Sequence, residues 1–220
     1  MRTFLTALCT TALFLVMVGT AGALNYSFTG TFEIDDDVQL FNFSVGEQSD
    51  NVILRTWSYA GGINAAGDAI PDGGLDPILA LFDSSGLFID QNDDGYGYVP
   101  FDQTTGLDWD TYLKVDLAPG DYTVAVMQYD NFAIGPYLSD GFMQDGMGNF
   151  TGEWQEVAGG SFIDDSGDQR TNAWAFDILN VQEAAMVDQP PTNESPEPAT
   201  MILLSFGLVA LAGFRRKFKK

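Results

Sequence analysis

Carboxylates dominate the chemistry that this chain can offer. Asp76 stands just before an apolar run, Pro77 to Phe82, and Asp83 just after it. Further on, Asn92-Asp93-Asp94-Gly95 sets three side-chain oxygen donors against a glycine. Asp108, Asp110 and the pair Asp130-Asn131 join this group if their strands are neighbours. Calcium takes roughly six to eight hard oxygen ligands, usually in turn-rich segments, so these residues are candidate ligands for a structural calcium ion. Asp35-Asp36-Asp37 offers a second, smaller group. Neither an EF-hand loop nor a nonapeptide calcium repeat is present. A plainer account stands beside this one. Asp and Asn are common in turns because they cap their own backbone, and this sequence is acidic throughout.

Other chemistries are narrow. The chain has no histidine, which excludes histidine-based triads and the usual zinc sites. It has no P-loop, dinucleotide fingerprint or nucleophile elbow. The expectation is a protein that is not an enzyme. Paired carboxylates beside aromatics leave a secreted glycoside hydrolase as a distant alternative. The nearer alternative is a calcium-dependent carbohydrate- or polymer-binding module. Trp57, Tyr59, Tyr96, Tyr98, Phe101, Trp109, Tyr129, Phe132, Tyr137 and Trp154 fall near loops or strand ends, where flat rings can stack on sugars. Taken singly, Trp57 and Trp109 each read better as core or loop anchors.

Charge narrows the partners. All 31 acidic residues lie between Glu33 and Glu197, and only Arg55, Lys114 and Arg170 are basic in that stretch. Such a surface repels nucleic acid and attracts divalent cations or basic partners. The single cysteine, Cys9, lies in an N-terminal apolar run, so the rest of the chain has no thiol chemistry.

The elements that must carry these residues are short strands. Apolar and polar positions alternate over 24–182, with Gly, Asp, Asn and Pro between the runs. Strands are expected at Tyr26 to Glu33, Val38 to Val45, Asn51 to Tyr59, Pro77 to Phe82, Leu87 to Ile89, Thr111 to Leu117, Asp121 to Tyr129 and Ala173 to Val181. Val38 and Leu40 fall out of step with Phe41, Phe43 and Val45. The region 136–161 is glycine-rich and reads as a flap or an irregular hairpin pair. The fold class is all-β, an antiparallel β-sandwich or jelly roll.

The two ends read as signals. Arg2, an apolar stretch from Phe4 to Val18, and Ala21-Gly22-Ala23 make residues 1–23 a signal peptide cut after Ala23. A polar, proline-rich linker is expected at 183–195. Pro196-Glu197-Pro198 then precedes an apolar run at 199–214 and a basic tail at 215–220 opened by Arg215, Arg216 and Lys217. As a helix the apolar run would be about 24 Å long, a short membrane span with its basic end on the cytoplasmic side.

Residues 196–220 resemble the PEP-CTERM sorting signal of Gram-negative bacteria. That resemblance implies recognition by an exosortase, a membrane protease-transpeptidase. It implies an inner-membrane anchor with the domain outside before processing, then a place at the cell surface or outside the cell. It also implies a link with extracellular polysaccharide or biofilm matrix. Ala199-Thr200 departs mildly from the usual Ser-Thr after the motif. Within the middle of the chain, Asp76 to Asp83 with Gly86 and Asn92 to Gly95, and Leu117-Ala118-Pro119-Gly120-Asp121-Tyr122-Thr123-Val124, resemble the bacterial pre-peptidase C-terminal domain. Leu54 to Gly62 and Gln128 to Phe132 look like a distinct PEP-CTERM subfamily. The pre-peptidase resemblance implies a small β-sandwich that accompanies enzymes without being catalytic. Some of its relatives bind calcium or polymers.

Overall fold

The computed structural model describes residues 22–46 and 49–188. Ala23 is exposed immediately before the first strand. Ala21 and the rest of the expected signal peptide lie outside the described residues, as do Pro196, Glu197, Pro198, Arg215, Arg216, Lys217 and the expected helix 199–214. Among the described residues no helix is long and apolar enough to cross a membrane.

Among the described residues the fold is an antiparallel β-sandwich with almost no helix. One sheet has four strands in the order β1 (Leu24–Thr31), β10 (Ala173–Val181), β3 (Ser49–Thr56), β8 (Tyr112–Leu117). The other has five, in the order β11 (Glu183–Met186), β2 (Val38–Val45), β9 (Gly120–Gln128), β6 (Pro77–Asp83), β7 (Phe88–Asn92). A small hairpin, β4 (Gly62–Ile63) with β5 (Ala69–Ile70), stands apart. Most steps along the chain cross from one sheet to the other, and among the described residues β6–β7 is the one hairpin within a packed sheet.

Strand alternation supplies the core. Phe41, Phe43 and Val45 of β2, Leu79 and Leu81 of β6, and Tyr122, Val124 and Val126 of β9 meet Leu54, Trp174, Phe176 and Ile178 from the facing sheet. Phe41 is fully buried, with ring centroids 4.8 Å from Phe28, 5.0 Å from Phe176 and 5.7 Å from Trp174. Burying a phenylalanine side chain contributes about 1.5–3 kcal/mol.

The five-stranded sheet has a second buried face. Ile78, Ala80, Phe82, Ala125 and Met127 point away from the main core and are covered by Phe142, Phe132, Ala133 and Leu138. Val38 and Leu40 pack on this second cluster. The break in step along β2 is therefore no irregularity: the strand is apolar on both faces because both are covered. The same reason makes β6 a continuous apolar run.

The covering segment is fastened by side chains that accept backbone donors. The Asn131 Oδ1 accepts the Gln144 N–H at 2.8 Å, and the Gln91 Oε1 accepts the Ala133 N–H at 2.9 Å. Asp36 accepts the Gly148 N–H at 2.8 Å. Asp35, fully buried, accepts the Thr151 hydroxyl and N–H and the Phe162 N–H. This pins a short helix, α1 (Phe150–Trp154), with Phe150 buried beneath it. The region 136–161 is thus a packed cover in this structure. One boundary also moves. Glu183–Met186, expected within the linker, pairs with β2 as β11, satisfying edge groups that β2 would otherwise expose.

Candidate functional site

The loops at the β3, β6 and β8 ends build an acidic region. Asp76 lies at the entry to β6, where the Tyr129 N–H donates to its carbonyl at 2.7 Å. Its side chain is 3 % exposed. Among the described residues no donor reaches its carboxylate. Burial first, then the charges of Asp94, Asp164, Asp110 and Asp93, push its carboxyl well above the usual range.

Asp110 is also buried, but it is satisfied. It accepts the Thr56 hydroxyl at 2.8 Å, the Tyr59 N–H at 3.1 Å and the Ala60 N–H at 2.8 Å. Burial raises its carboxyl and those hydrogen bonds pull the other way. Asp110 therefore holds the turn after β3.

Asp93 and Asp94 follow β7. Asp94 is raised, by burial first, opposed by the Tyr96 hydroxyl and reinforced by Asp93 and Asp108. The same hydrogen bond pushes the Tyr96 phenol up to about 12. The Asn92 amide donates to the Asp94 carbonyl at 2.6 Å and the Tyr112 carbonyl at 2.9 Å, tying this loop to β8. Asp108 accepts the Gly97 N–H at 3.4 Å.

The expected ligand set divides. Asp76, Asp93, Asp94 and Asp110 share one region, as their mutual fields on Asp76 show. Asp130 borders it, since Tyr129 senses the charges of Asp165, Asp93, Asp130 and Asp76 after burial. Asp130 and Asn131 spend their side chains on Gln144 and the Asp36 carbonyl. Asp83 does not join: it ends β6, about 23 Å along the chain from Asp76 at roughly 3.3 Å per residue. There it accepts the Ser85 hydroxyl and the Ser85 and Leu87 N–H groups, which lower its carboxyl. Asp35, Asp36 and Asp37 likewise cap nearby or distant backbone. Among the described residues, no group of three or more acidic side chains is arranged to hold a metal ion as it stands.

Three residues of this region, Arg170, Asp102 and Asp164, escaped the sequence reading as site residues. Arg170 is buried and pairs with Asp102 at 3.3 Å. It also donates to the Tyr59 carbonyl at 2.6 Å and the Gly74 carbonyl at 3.1 Å, and its guanidinium lies 3.7 Å from the Tyr59 ring centroid. The Tyr59 hydroxyl donates to Asp164 at 2.8 Å. Burial raises Asp102, but hydrogen bonds from Thr105, Arg170 and Thr104 outweigh it and hold the carboxyl low. The three-residue turn Asp164-Asp165-Ser166 and the lone Arg170 gave no spacing signal.

The aromatics also separate. Tyr59 is fully buried and Trp57 is half-buried under the Arg55 guanidinium, 3.7 Å from the ring centroid. Trp109 packs on Tyr59 at 5.4 Å. Tyr96, Tyr98, Phe101, Tyr137 and Trp154 are exposed.

Residues 196–217 match the PEP-CTERM protein-sorting motif. This motif supports sorting to the cell exterior by an exosortase-like system. No curated protein matches the chain.

Proposed function

We propose that the folded domain is a non-catalytic module of the cell surface or extracellular matrix, delivered there by the exosortase-like system. The sorting motif at 196–217 carries this reading. The carboxylate-rich composition supports it, because a strongly charged, histidine-free domain is suited to solvation and cation contacts. Extracellular polysaccharide is the partner class. The resemblance to the pre-peptidase C-terminal domain belongs to the same proposal, and two packed antiparallel sheets agree with it. Fractionation of cells making an epitope-tagged chain tests the reading. The parent is expected at the cell surface or in the medium. Replacing Pro196, Glu197 and Pro198 with alanine is expected to leave the chain in the inner membrane. The parent found only inside the cell, or the triple variant still reaching the exterior, would sink the proposal.

Calcium is the cofactor that accompanies this reading. The favouring observation is Asp76: a buried carboxylate with no donor, amid the fields of four others, calls for a proton or a cation. Asp93 and Asp94 are the side chains that would turn toward it and supply further oxygens. Melting the 220-residue chain in EDTA, calcium or magnesium decides between proton and cation. A ligand held only by the native state raises the melting temperature. A calcium-specific rise that Asp93→Asn and Asp94→Asn blunt is the expected result. No rise with either ion would assign Asp76 to the proton, and an equal rise with magnesium would sink the calcium-specific site.

A further inference from the structure

The outer face of β8 carries a second kind of surface. The Tyr98 ring stacks on Tyr112, with centroids 4.8 Å apart and planes 12° from parallel. Tyr98 itself is 68 % exposed, so its other face is open. Lys114 stands two residues along β8 from Tyr112, on the same face of the strand. These residues, with Tyr96, Asn92 and Asp94, line a groove of about 440 Å³. That lies within the roughly 300–1,000 Å³ common for small-ligand sites.

The groove is held in shape. The Asn92 amide bonds the Asp94 and Tyr112 carbonyls together, so the loop bearing Tyr98 is tied to the strand bearing Tyr112. Gly95 lies so close to Val99 and to the segment before β8 that a Cβ would sit 2.5 Å from the Val99 side chain and 2.8 Å from the Asp110 carbonyl. Gly97, at φ +80°, makes the turn that presents Tyr98. A shelf already ordered before binding loses less entropy when a ligand arrives.

Lys114 gives this groove, which Asp94 also lines, the one exposed basic side chain among the described residues. Of the three cations between Glu33 and Glu197, Arg170 is buried against Asp102 and Arg55 is half-buried over Trp57. Lys114 is exposed, and among the described residues no carboxylate lies within ion-pair distance of it. Arg55 stands directly across from Tyr112 in the strand register. Two of the three cations therefore flank Tyr112.

We infer that the Tyr98–Tyr112 shelf with Lys114 is a binding site for an acidic sugar chain, of the hexuronate class. The open face of Tyr98 stacks on the apolar face of a sugar ring. Lys114 takes the uronate carboxylate, a charge-assisted contact. Asp94 and Tyr96, whose side chains bond to each other, line the groove beside this shelf. The inference rests on the domain being an exterior module, where such polymers are met.

The test is calorimetric titration of the 220-residue chain in detergent, with EDTA and physiological salt. Tetragalacturonate is the probe and maltotetraose the neutral control. The parent is expected to bind the uronate at least about tenfold more tightly than the neutral sugar. Tyr98→Ala is expected to weaken uronate binding by about tenfold or more. Lys114→Gln is expected to bring the two sugars to equal, weak affinity. Both side chains are exposed, so an unchanged melting temperature confirms that each variant folds. No uronate binding at millimolar sugar, equal binding of both sugars by the parent, or uronate preference that survives Lys114→Gln overturns the assignment. Cell fractionation reads sorting separately, so failure here leaves the exterior reading standing.

Discussion

Asp110 and Asp76 occupy one acidic region and are both buried, yet their surroundings differ. Asp110 accepts three hydrogen bonds, two of them from the backbone, around the turn after β3. Asp76 accepts none at its carboxylate among the described residues, and its field comes from other carboxylates. Burial alone thus says little about a carboxylate's role. What distinguishes the pair is the supply of donors. Asp110 holds the fold, whereas no hydrogen bond among the described residues offsets the burial of the Asp76 carboxylate.

The largest effect belongs to the satisfied member. Asp110→Ala orphans the Thr56 hydroxyl and the Tyr59 and Ala60 N–H groups. Each orphaned buried donor costs about 1–3 kcal/mol, so a loss of roughly 3–5 kcal/mol is expected in urea denaturation. A loss indistinguishable from a surface substitution would dissolve the contrast. Asp76→Asn is expected to do the opposite in EDTA and to stabilise the fold at neutral pH, because a neutral amide replaces a buried charge. The pH dependence follows in sign. Asp76 holds its proton more tightly when folded, so its contribution is whole below the unfolded pKa of about 3.9. That contribution is lost as pH rises through the raised folded value. In EDTA the parent therefore loses stability as pH climbs above about 4. Asp35, Asp94, Asp110 and Asp130 push the same way, so Asp76→Asn lessens the slope without removing it. An unaltered slope would show that Asp76 is not its source. Asp76→Asn should also abolish any calcium-dependent gain. The smallest effect is Asp83→Ala, which breaks an exposed turn at the far end of β6. It should leave the calcium response as it was; a diminished response would bring Asp83 back into the ligand set.

The strands were legible where alternation was strong. β2, β6, β9 and β10 fall within a residue or so of the expected runs. β11 was not, because Glu183-Ala184-Ala185-Met186 carries no β-branched or aromatic residue, and its pairing is dictated by the open edge of β2. The acidic region was half legible. Asp76, Asp93, Asp94 and Asp110 were singled out and do share a region, but an acidic sequence does not reveal which carboxylates have donors. The donors of Asp110 come from Thr56 to Ala60, and those of Asp35 from Thr151 and Phe162, far along the chain. The exposure of Tyr98 and the burial of Tyr59 turned on the same kind of distant packing.

The position of β10 sets a timetable. It lies between β1 and β3, and Ser27 of β1 meets Asp177 of β10 across 150 residues of chain. A chain threaded outward from its N-terminus delivers β1 first and β10 nearly last. Until 173–181 has emerged, the four-stranded sheet lacks its second strand and the main core lacks Trp174, Phe176 and Ile178. Pairings this distant in sequence form slowly in any case. A chain exported in that direction therefore closes its domain only once 173–181 has emerged, and the strand order itself keeps it open through most of the transport.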